Sequence, residues 1–178
     1  MTTIDRAPEW QTTEWLNTAS PLSLAALRGK IVMVTAFQML CPGCVAEGLP
    51  QAQRVAATFK SSDVAVIGLH SVFEHHDAMG PNALRAFLHE YKIRFPVGID
   101  APDGAGLPHT MRTYGFQGTP TTLLFDREGQ LRRHVFGHIP DLQLGAELMA
   151  LIGEQRAAVA PAEMTPEASA VCTIDGCR

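Results

Sequence analysis

Runs of consecutive apolar residues alternate along the chain with longer segments in which apolar residues are spaced apart. This alternation predicts strands separated by helices. The runs at Ile31–Phe37 and 64–69 are rich in β-branched residues, so they predict buried central strands. Three further strands are predicted at 95–99, Thr121–Phe125 and Leu131–Phe136. The last two flank Asp126-Arg-Glu-Gly129, which is typical of a hairpin turn.

The spaced segments predict four helices. They are expected at 41–60, 81–91, His109–Tyr114 and 140–156. Pro50 should kink the first, because proline removes a helical hydrogen bond. The last presents Leu142, Leu148, Leu151 and Ile152 as its apolar positions. The order strand, helix, strand at the start of the domain predicts a parallel βαβ unit.

Composition and charge limit the binding partners and the cellular location that can be expected for this protein. Apolar residues make up 46% of the 178 residues, as in an ordinary globular protein, and 14 basic against 18 acidic residues give a net charge of −4. An acidic chain is a poor partner for nucleic acid. The most apolar stretch, 31–40, is too short to span a membrane. The N-terminal residues do not show the pattern of a secretion signal, which is a basic segment followed by an apolar one. We therefore expect a cytoplasmic protein.

The chain divides into one domain and a tail. Residues 1–156 are predicted as the domain, with 1–29 as an approach segment anchored by Trp10 and Trp15. From 157 the composition shifts to Ala, Pro, Glu and Ser, which predicts a flexible tail over 157–178. This tail carries a second pair of cysteines, Cys172 and Cys177.

The strongest chemical signal is Cys41-Pro42-Gly43-Cys44, at the junction of a predicted strand and helix. Backbone N–H groups at a helix start stabilise a thiolate, and Pro42 suits the first helical position. Two intervening residues allow Cys44 to close a disulfide with Cys41, so the motif indicates redox chemistry. The alternatives are two small core residues or half of a zinc site, which would need a second ligand pair inside the domain.

The ordered set of strand, Cys41-Pro-Gly-Cys44, helix, Phe95-Pro96-Val97, Gly118-Thr119-Pro120 and the following hairpin resembles the thioredoxin fold. More narrowly, it resembles the TlpA/ResA-like, or redoxin, branch of thiol–disulfide oxidoreductases. The resemblance covers residues of about 20 to 156. It implies an α/β thioredoxin-like fold, with a central mixed β-sheet flanked by helices.

The resemblance also implies roles for individual residues. Cys41 matches the nucleophile and Cys44 the resolving thiol, and Pro120 matches a cis-proline that lies against them. The backbone of Thr119 would pair with an extended substrate segment. The implied enzyme reduces disulfides of proteins or small molecules at the expense of a thiol reductant. Its redox-active disulfide, Cys41–Cys44, makes a further cofactor or a metal unnecessary.

Four features depart from the family pattern. Leu40 stands where many relatives have tryptophan, and Pro-Gly reverses the Gly-Pro of thioredoxin. Thr35 replaces the buried acid that thioredoxins carry six residues before the nucleophile. Pro50 follows the cysteines one residue later than expected. Since Thr35 cannot accept a proton as a carboxylate does, another group must take the proton from Cys44.

The candidates for this proton acceptor lie in the segment that follows the second predicted strand. His70 is the first, because histidine titrates near neutrality, and Glu74 is the second. His75 and His76 are more simply explained as part of a solvated loop. Glu47, three residues after Cys44, either tunes the site or is a surface charge. Structural or surface roles are expected for the remaining histidines: His109, His134 and His138.

The tail pair and two other functions remain open at this stage. Cys172 and Cys177 either shuttle electrons to or from Cys41 by thiol–disulfide exchange or have no redox role. A thiol peroxidase is the first alternative function, although Gln38 occupies the place of the threonine that peroxiredoxins carry three residues before their cysteine. The second is a copper carrier of the same fold, which would need two cysteines and a distant histidine.

Overall fold

Six strands form one mixed sheet in the computed structural model, which describes residues 7–104 and 106–158, the last four by their backbone only. The strand order is β1-β4-β3-β2-β5-β6. The strands are β1 (Thr12–Leu16), β2 (Ile31–Phe37), β3 (Val64–His70), β4 (Val97–Asp100), β5 (Thr121–Phe125) and β6 (Leu131–Phe136). The helices are α1 (Leu49–Thr58), α2 (Pro81–Glu90), α3 (His109–Tyr114) and α4 (Asp141–Ala158). The predicted thioredoxin-like α/β fold is confirmed.

Strand direction determines which chain ends meet. β2 and β3 are parallel, and Phe37 pairs with His70 at their carboxyl ends. β5 is antiparallel to β2, and Thr121 at its start lies opposite Ala36 and also opposite Phe136 of β6. The ends of β2, β3 and β6 and the start of β5 therefore share one border of the sheet, which we call the site edge.

Each face of the sheet is covered by its own hydrophobic core. Because side chains alternate along a strand, Met33 and Phe37 of β2 face the core formed with α1, α2 and α4, whereas Val32 and Val34 face the other. The second core contains Trp10 and residues of the segment around α3. Trp10 is buried in this core and Trp15 packs against it, with their rings 6.1 Å apart, so both tryptophans attach the N-terminal segment to the sheet as predicted.

The structure corrects several sequence predictions. Residues Thr12–Leu16, assigned to an approach segment, form β1 and pair antiparallel with β4 at the border of the sheet. Leu142, which was predicted to lie on the apolar face of the last helix, is 91% exposed. Leu144 is buried in the core in its place. Leu144 shares a helix face with Leu148 four residues on, and Leu142 lies two residues, or about 200°, away from that face. The fourth strand begins at Val97 rather than at residue 95.

Two predictions concern the C-terminal part of the chain. The last helix extends to Ala158, two residues past the predicted end of the domain. The tail with Cys172 and Cys177 lies outside the described residues. Within the described part of the chain, no helix combines the length and the apolar character needed to cross a membrane. A cytoplasmic location stays a prediction.

Candidate active site

The cysteine motif lies where β2 runs into the first helical turn. After Phe37 the chain turns, and the Cys41 N–H donates to the Gln38 carbonyl at 3.3 Å. Cys41 is half-buried and Cys44 is fully buried, and both are free thiols. The Cys44 N–H donates to Cys41 Sγ at 3.3 Å. An N–H at the start of a helix thus points at the sulfur that bears negative charge when Cys41 acts as a nucleophile.

A single wide turn separates the motif from α1. Residues Cys44–Gly48 form one π-helical turn, in which the Leu49 N–H donates to the Cys44 carbonyl. Pro50 follows directly and has no N–H for the Ala46 carbonyl, so a regular α-helical bond is impossible there in any case. The wide turn accommodates one additional residue. This additional residue accounts for the late position of Pro50. The kink predicted at Pro50 thus takes the form of a π turn.

Pro120 packs directly against this turn. The Thr119–Pro120 peptide bond is cis. A Cβ added to Gly48 would lie 2.8 Å from Pro120 Cβ, and one added to Gly43 would lie 3.3 Å from Pro120 Cδ. Both glycines therefore allow the proline ring to approach the helix backbone closely. The Cys41 thiol donates to the Thr119 carbonyl at 3.3 Å, so Cys41, Thr119 and Pro120 meet at the site edge.

The two thiols differ sharply in environment. Burial, followed by contact with the Cys41 thiol, raises the pKa of Cys44 to about 12. Cys44 therefore keeps its proton at neutral pH, and a reaction in which its sulfur acts as a nucleophile would require a proton acceptor. The buried Thr35 lies beneath the same turn, with Cγ2 3.7 Å from the position of a Gly48 Cβ. Its hydroxyl oxygen has no hydrogen-bond partner among the described residues.

His70 ends β3 as a buried side chain. Its ring lies 5.2 Å from that of Phe37, and its Nε2 has no partner in the described part of the chain. Burial lowers the pKa of His70 to about 4. The imidazole is therefore neutral at pH 7, which differs from the near-neutral titration expected from sequence. A neutral imidazole still has one nitrogen able to accept a hydrogen bond.

Glu74 is held near the motif by a residue that sequence reasoning did not assign to the site. Gln38 is buried; its Oε1 accepts the Phe73 N–H at 3.1 Å and its Nε2 donates to Glu74 Oε1 at 3.3 Å. Gln38 thus ties the loop after β3 to the chain just before Cys41. His75 and His76 are exposed on this loop, as expected. In the sequence, the only available signal was a polar residue directly after an apolar strand, three residues before Cys41.

Two further buried polar groups support the same loop. Ser71 Oγ donates to Asp100 Oδ2 at 2.9 Å, and Asp100 also accepts the N–H groups of Thr110 and Met111 at the start of α3. Burial raises the pKa of Asp100 despite these hydrogen bonds. Sequence reasoning missed this link between the loop after β3 and α3.

Glu47 lies on the exposed side of the π turn. Its Oε2 is 3.8 Å from His138 Nδ1, just beyond the end of β6. His138 was expected to have a structural or surface role without an assigned partner, and its nearest charged neighbour is this carboxylate. His109 likewise lies 3.9 Å from Asp103. Among the described residues no three His, Cys, Asp or Glu side chains cluster as a metal site would require.

Comparisons with known proteins agree with this geometry. The profile of the AhpC/TSA family matches residues 4–134. The chain is 27% identical over 123 residues to the thiol-disulfide oxidoreductase ResA of Bacillus thuringiensis, and it spans 64% of the length of that relative while 69% of this chain is matched.

Two solved structures are more similar still. One, described as a thioredoxin-like superfamily protein, superposes with a TM-score of 0.82 at 55% identity, over 83% of this chain and 96% of that one. The other is a thiol-disulfide isomerase from Corynebacterium glutamicum, with a TM-score of 0.79 at 48% identity, over 84% and 98% of the two chains. The predicted resemblance to thioredoxin-fold redoxins of the ResA-like branch is confirmed.

Proposed function

The chain belongs to the AhpC/TSA family of thioredoxin-fold redoxins, and on that premise we propose that it is a thiol–disulfide oxidoreductase working through Cys41 and Cys44. The observation that carries the proposal is the placement of Cys41. Its half-buried sulfur receives the Cys44 N–H and faces the Thr119 carbonyl beside Pro120. This is a thiol accessible to a substrate, with its resolving partner one turn away.

The proposed reaction proceeds in two exchanges. The Cys41 thiolate attacks one sulfur of a substrate disulfide, and the other substrate sulfur leaves as a thiolate. Cys44 then loses its proton and attacks Cys41 Sγ, which releases the second substrate thiol and closes the Cys41–Cys44 disulfide. Two electrons pass from the enzyme to the substrate, and a thiol reductant returns them in the reverse sequence.

Deprotonation of Cys44 is the demanding step of this scheme. No carboxylate occupies the position of Thr35, and Cys44 is buried with a raised pKa. We propose that the substrate thiolate released in the first exchange accepts the proton, because the burial that lowers the pKa of His70 to about 4 makes its imidazole a weak base. Glu74 is exposed and accepts a hydrogen bond from Gln38, so it is assigned to the mouth of the site and not to the transfer itself.

Trapping tests the proposal. Cys44→Ser should accumulate a mixed disulfide with a disulfide-bearing protein, detected as a mass adduct on Cys41, while Cys41→Ser should form none. Wild-type protein should catalyse reduction of the same protein by dithiothreitol, and both variants should lose this activity. Equal catalysis by Cys41→Ser and wild type would overturn the proposal. Rapid oxidation of the reduced protein by hydrogen peroxide, with no reaction toward disulfides, would instead favour the peroxidase alternative.

A further inference from the structure

The site edge is formed by four chain segments that contain no Lys or Arg. They are residues 37–48, 70–80, 115–121 and 136–140. Pairing of Phe37 with His70 and of Thr121 with Phe136 brings these segments together around Cys41. Apart from histidines, their only charged residues are Glu47, Glu74 and Asp77, all exposed.

Two of these carboxylates have defined contacts in two different segments of the site edge. Glu74 is fixed by Gln38, whose backbone carbonyl also accepts the Cys41 N–H. Glu47 lies on the π turn that begins at Cys44, beside His138. A disulfide approaching Cys41 therefore meets an edge whose neighbouring segments carry two carboxylates.

The nearest arginine along α1 does not offset this charge. Arg54 Nε lies 2.9 Å from Asp141 Oδ2, so its charge is already paired with a carboxylate at the start of α4. The basic residues of β6 are similarly engaged at the opposite end of the sheet, where Arg132 bonds Glu154. The field at the site edge is consequently negative although the whole chain carries a net charge of only −4.

Exposed apolar side chains lie at the same edge of the sheet. Leu40, immediately before Cys41, is 57% exposed, and Phe136 at the end of β6 is 53% exposed. The Phe136 ring covers Gly118, since a Cβ there would lie 2.9 Å from the ring. Gly118 directly precedes Thr119, whose carbonyl faces Cys41. Phe136 is therefore held beside the segment that a substrate must reach.

We propose that the substrates of this site are polypeptide disulfides whose cysteine is flanked by Lys or Arg and by an apolar residue, and that glutathione disulfide, an anion, is disfavoured. The inference rests on the proposed function, because it concerns the substrate of the same cysteines. Leu40 and Phe136 contact the apolar residue, and Glu47 and Glu74 attract the cation. Exposed charges act over about 10 Å at 0.1 M salt, so these carboxylates attract or repel a charged disulfide as it approaches the site edge.

Rates of oxidation of the reduced full-length chain test the charge component. The probes are cystamine, a dication; hydroxyethyl disulfide, which is neutral; and glutathione disulfide. Each rate constant is divided by that of dithiothreitol with the same probe, which removes differences in intrinsic reactivity. We expect the normalised rate for cystamine to exceed that for glutathione disulfide about ten-fold at low salt, and the ratio to approach one as salt is raised.

Matched variants locate the effect. Glu47→Gln combined with Glu74→Gln should lower the cystamine-to-glutathione ratio about three- to ten-fold. Glu128→Gln, which removes an exposed carboxylate from the β5–β6 turn at the opposite end of the sheet, should leave it unchanged. An equal change per carboxylate removed in the two proteins would mean that net charge alone is responsible and would overturn the inference.

Disulfide-linked peptides test the apolar component. A peptide with Lys and Leu beside its cysteine should react faster than one with Lys and Ser, and Leu40→Ser should reduce this preference several-fold. If every probe reacts at rates independent of charge and of the Leu residue, the inference fails while the proposed function stands. If no disulfide reacts at all, the proposed function itself is wrong.

Discussion

Acid should destabilise the protein through one buried histidine. His70 is 1% exposed, and its pKa is lowered from 6.5 to about 4 because burial penalises the charged form. In the unfolded chain the same imidazole takes up a proton as the pH falls below 6.5. Between these two values only the unfolded state is protonated, so the free energy of unfolding must decrease as the pH falls. Above pH 7 both states are neutral, and His70 gives no pH dependence.

The magnitude follows from the separation of the two pKa values. Each pH unit across this window costs about 1.4 kcal/mol, so wild type should lose about 3 kcal/mol between pH 7 and pH 4 through His70. Asp100 acts in the opposite direction, because its pKa is raised in the folded state and its protonation at low pH is therefore favoured by folding. The comparison with a variant removes this contribution.

Urea unfolding at pH 7, 5.5 and 4.5, in the presence of reductant, measures the effect. Subtracting the pH dependence of His70→Leu from that of wild type should leave the loss assigned to His70, whereas His134→Gln, a change at an exposed histidine, should behave like wild type. The ring protons of His70 in wild type should show no titration above pH 5 by NMR, a readout that does not depend on the folding of any variant. Titration of that ring near pH 6.5 would refute the reasoning.

Three further predictions concern the cysteines and the turn beneath them. At pH 8, iodoacetamide should modify Cys41 at least about 100 times faster than Cys44, because Cys44 is buried with a pKa of about 12; comparable rates by peptide mass mapping would contradict this. Gly48→Ala should lower the free energy of unfolding by about 1–3 kcal/mol and slow turnover, since its Cβ would lie 2.8 Å from Pro120 Cβ. Gly145→Ala, in α4 with open space around it, should instead stabilise by up to about 1 kcal/mol, and a loss of the same size in both would argue against the packing explanation. If the tail pair passes electrons to Cys41, replacing Cys172 and Cys177 by Ser should slow glutathione-driven turnover several-fold and leave dithiothreitol-driven turnover intact; unaltered rates with both reductants would show that the pair has no such role.

The elements predicted most closely are those whose signal is local. The continuous β-branched run of β2 and the hairpin residues between β5 and β6 gave strand bounds that agree with the structure. A buried strand is encoded by its own residues, because both of its faces must be apolar whatever packs on them. β1 was missed because Thr12–Leu16 is a short, half-exposed segment that becomes a strand by pairing with β4.

Helical details show the same division. Pro50 and its distance from the cysteines indicated an irregularity from sequence, but only the structure shows that it is a π turn whose Gly48 packs against Pro120. The face of α4 was partly misassigned because apolar residues occur on both of its sides, so periodicity alone could not separate Leu142 from Leu144.

By itself, the sequence determined which reactive groups the protein carries and in what order its elements follow: two thiols at a strand–helix junction, a proline downstream of them, and the strands and helices that make the fold. Only the tertiary structure decided the environment of those groups. Gln38 meets Glu74 and Glu47 meets His138 across long stretches of chain, and His70 is neutral because the folded protein removes it from water. Residue type and local spacing are properties of the chain, whereas burial and long-range contact exist only after the elements have packed.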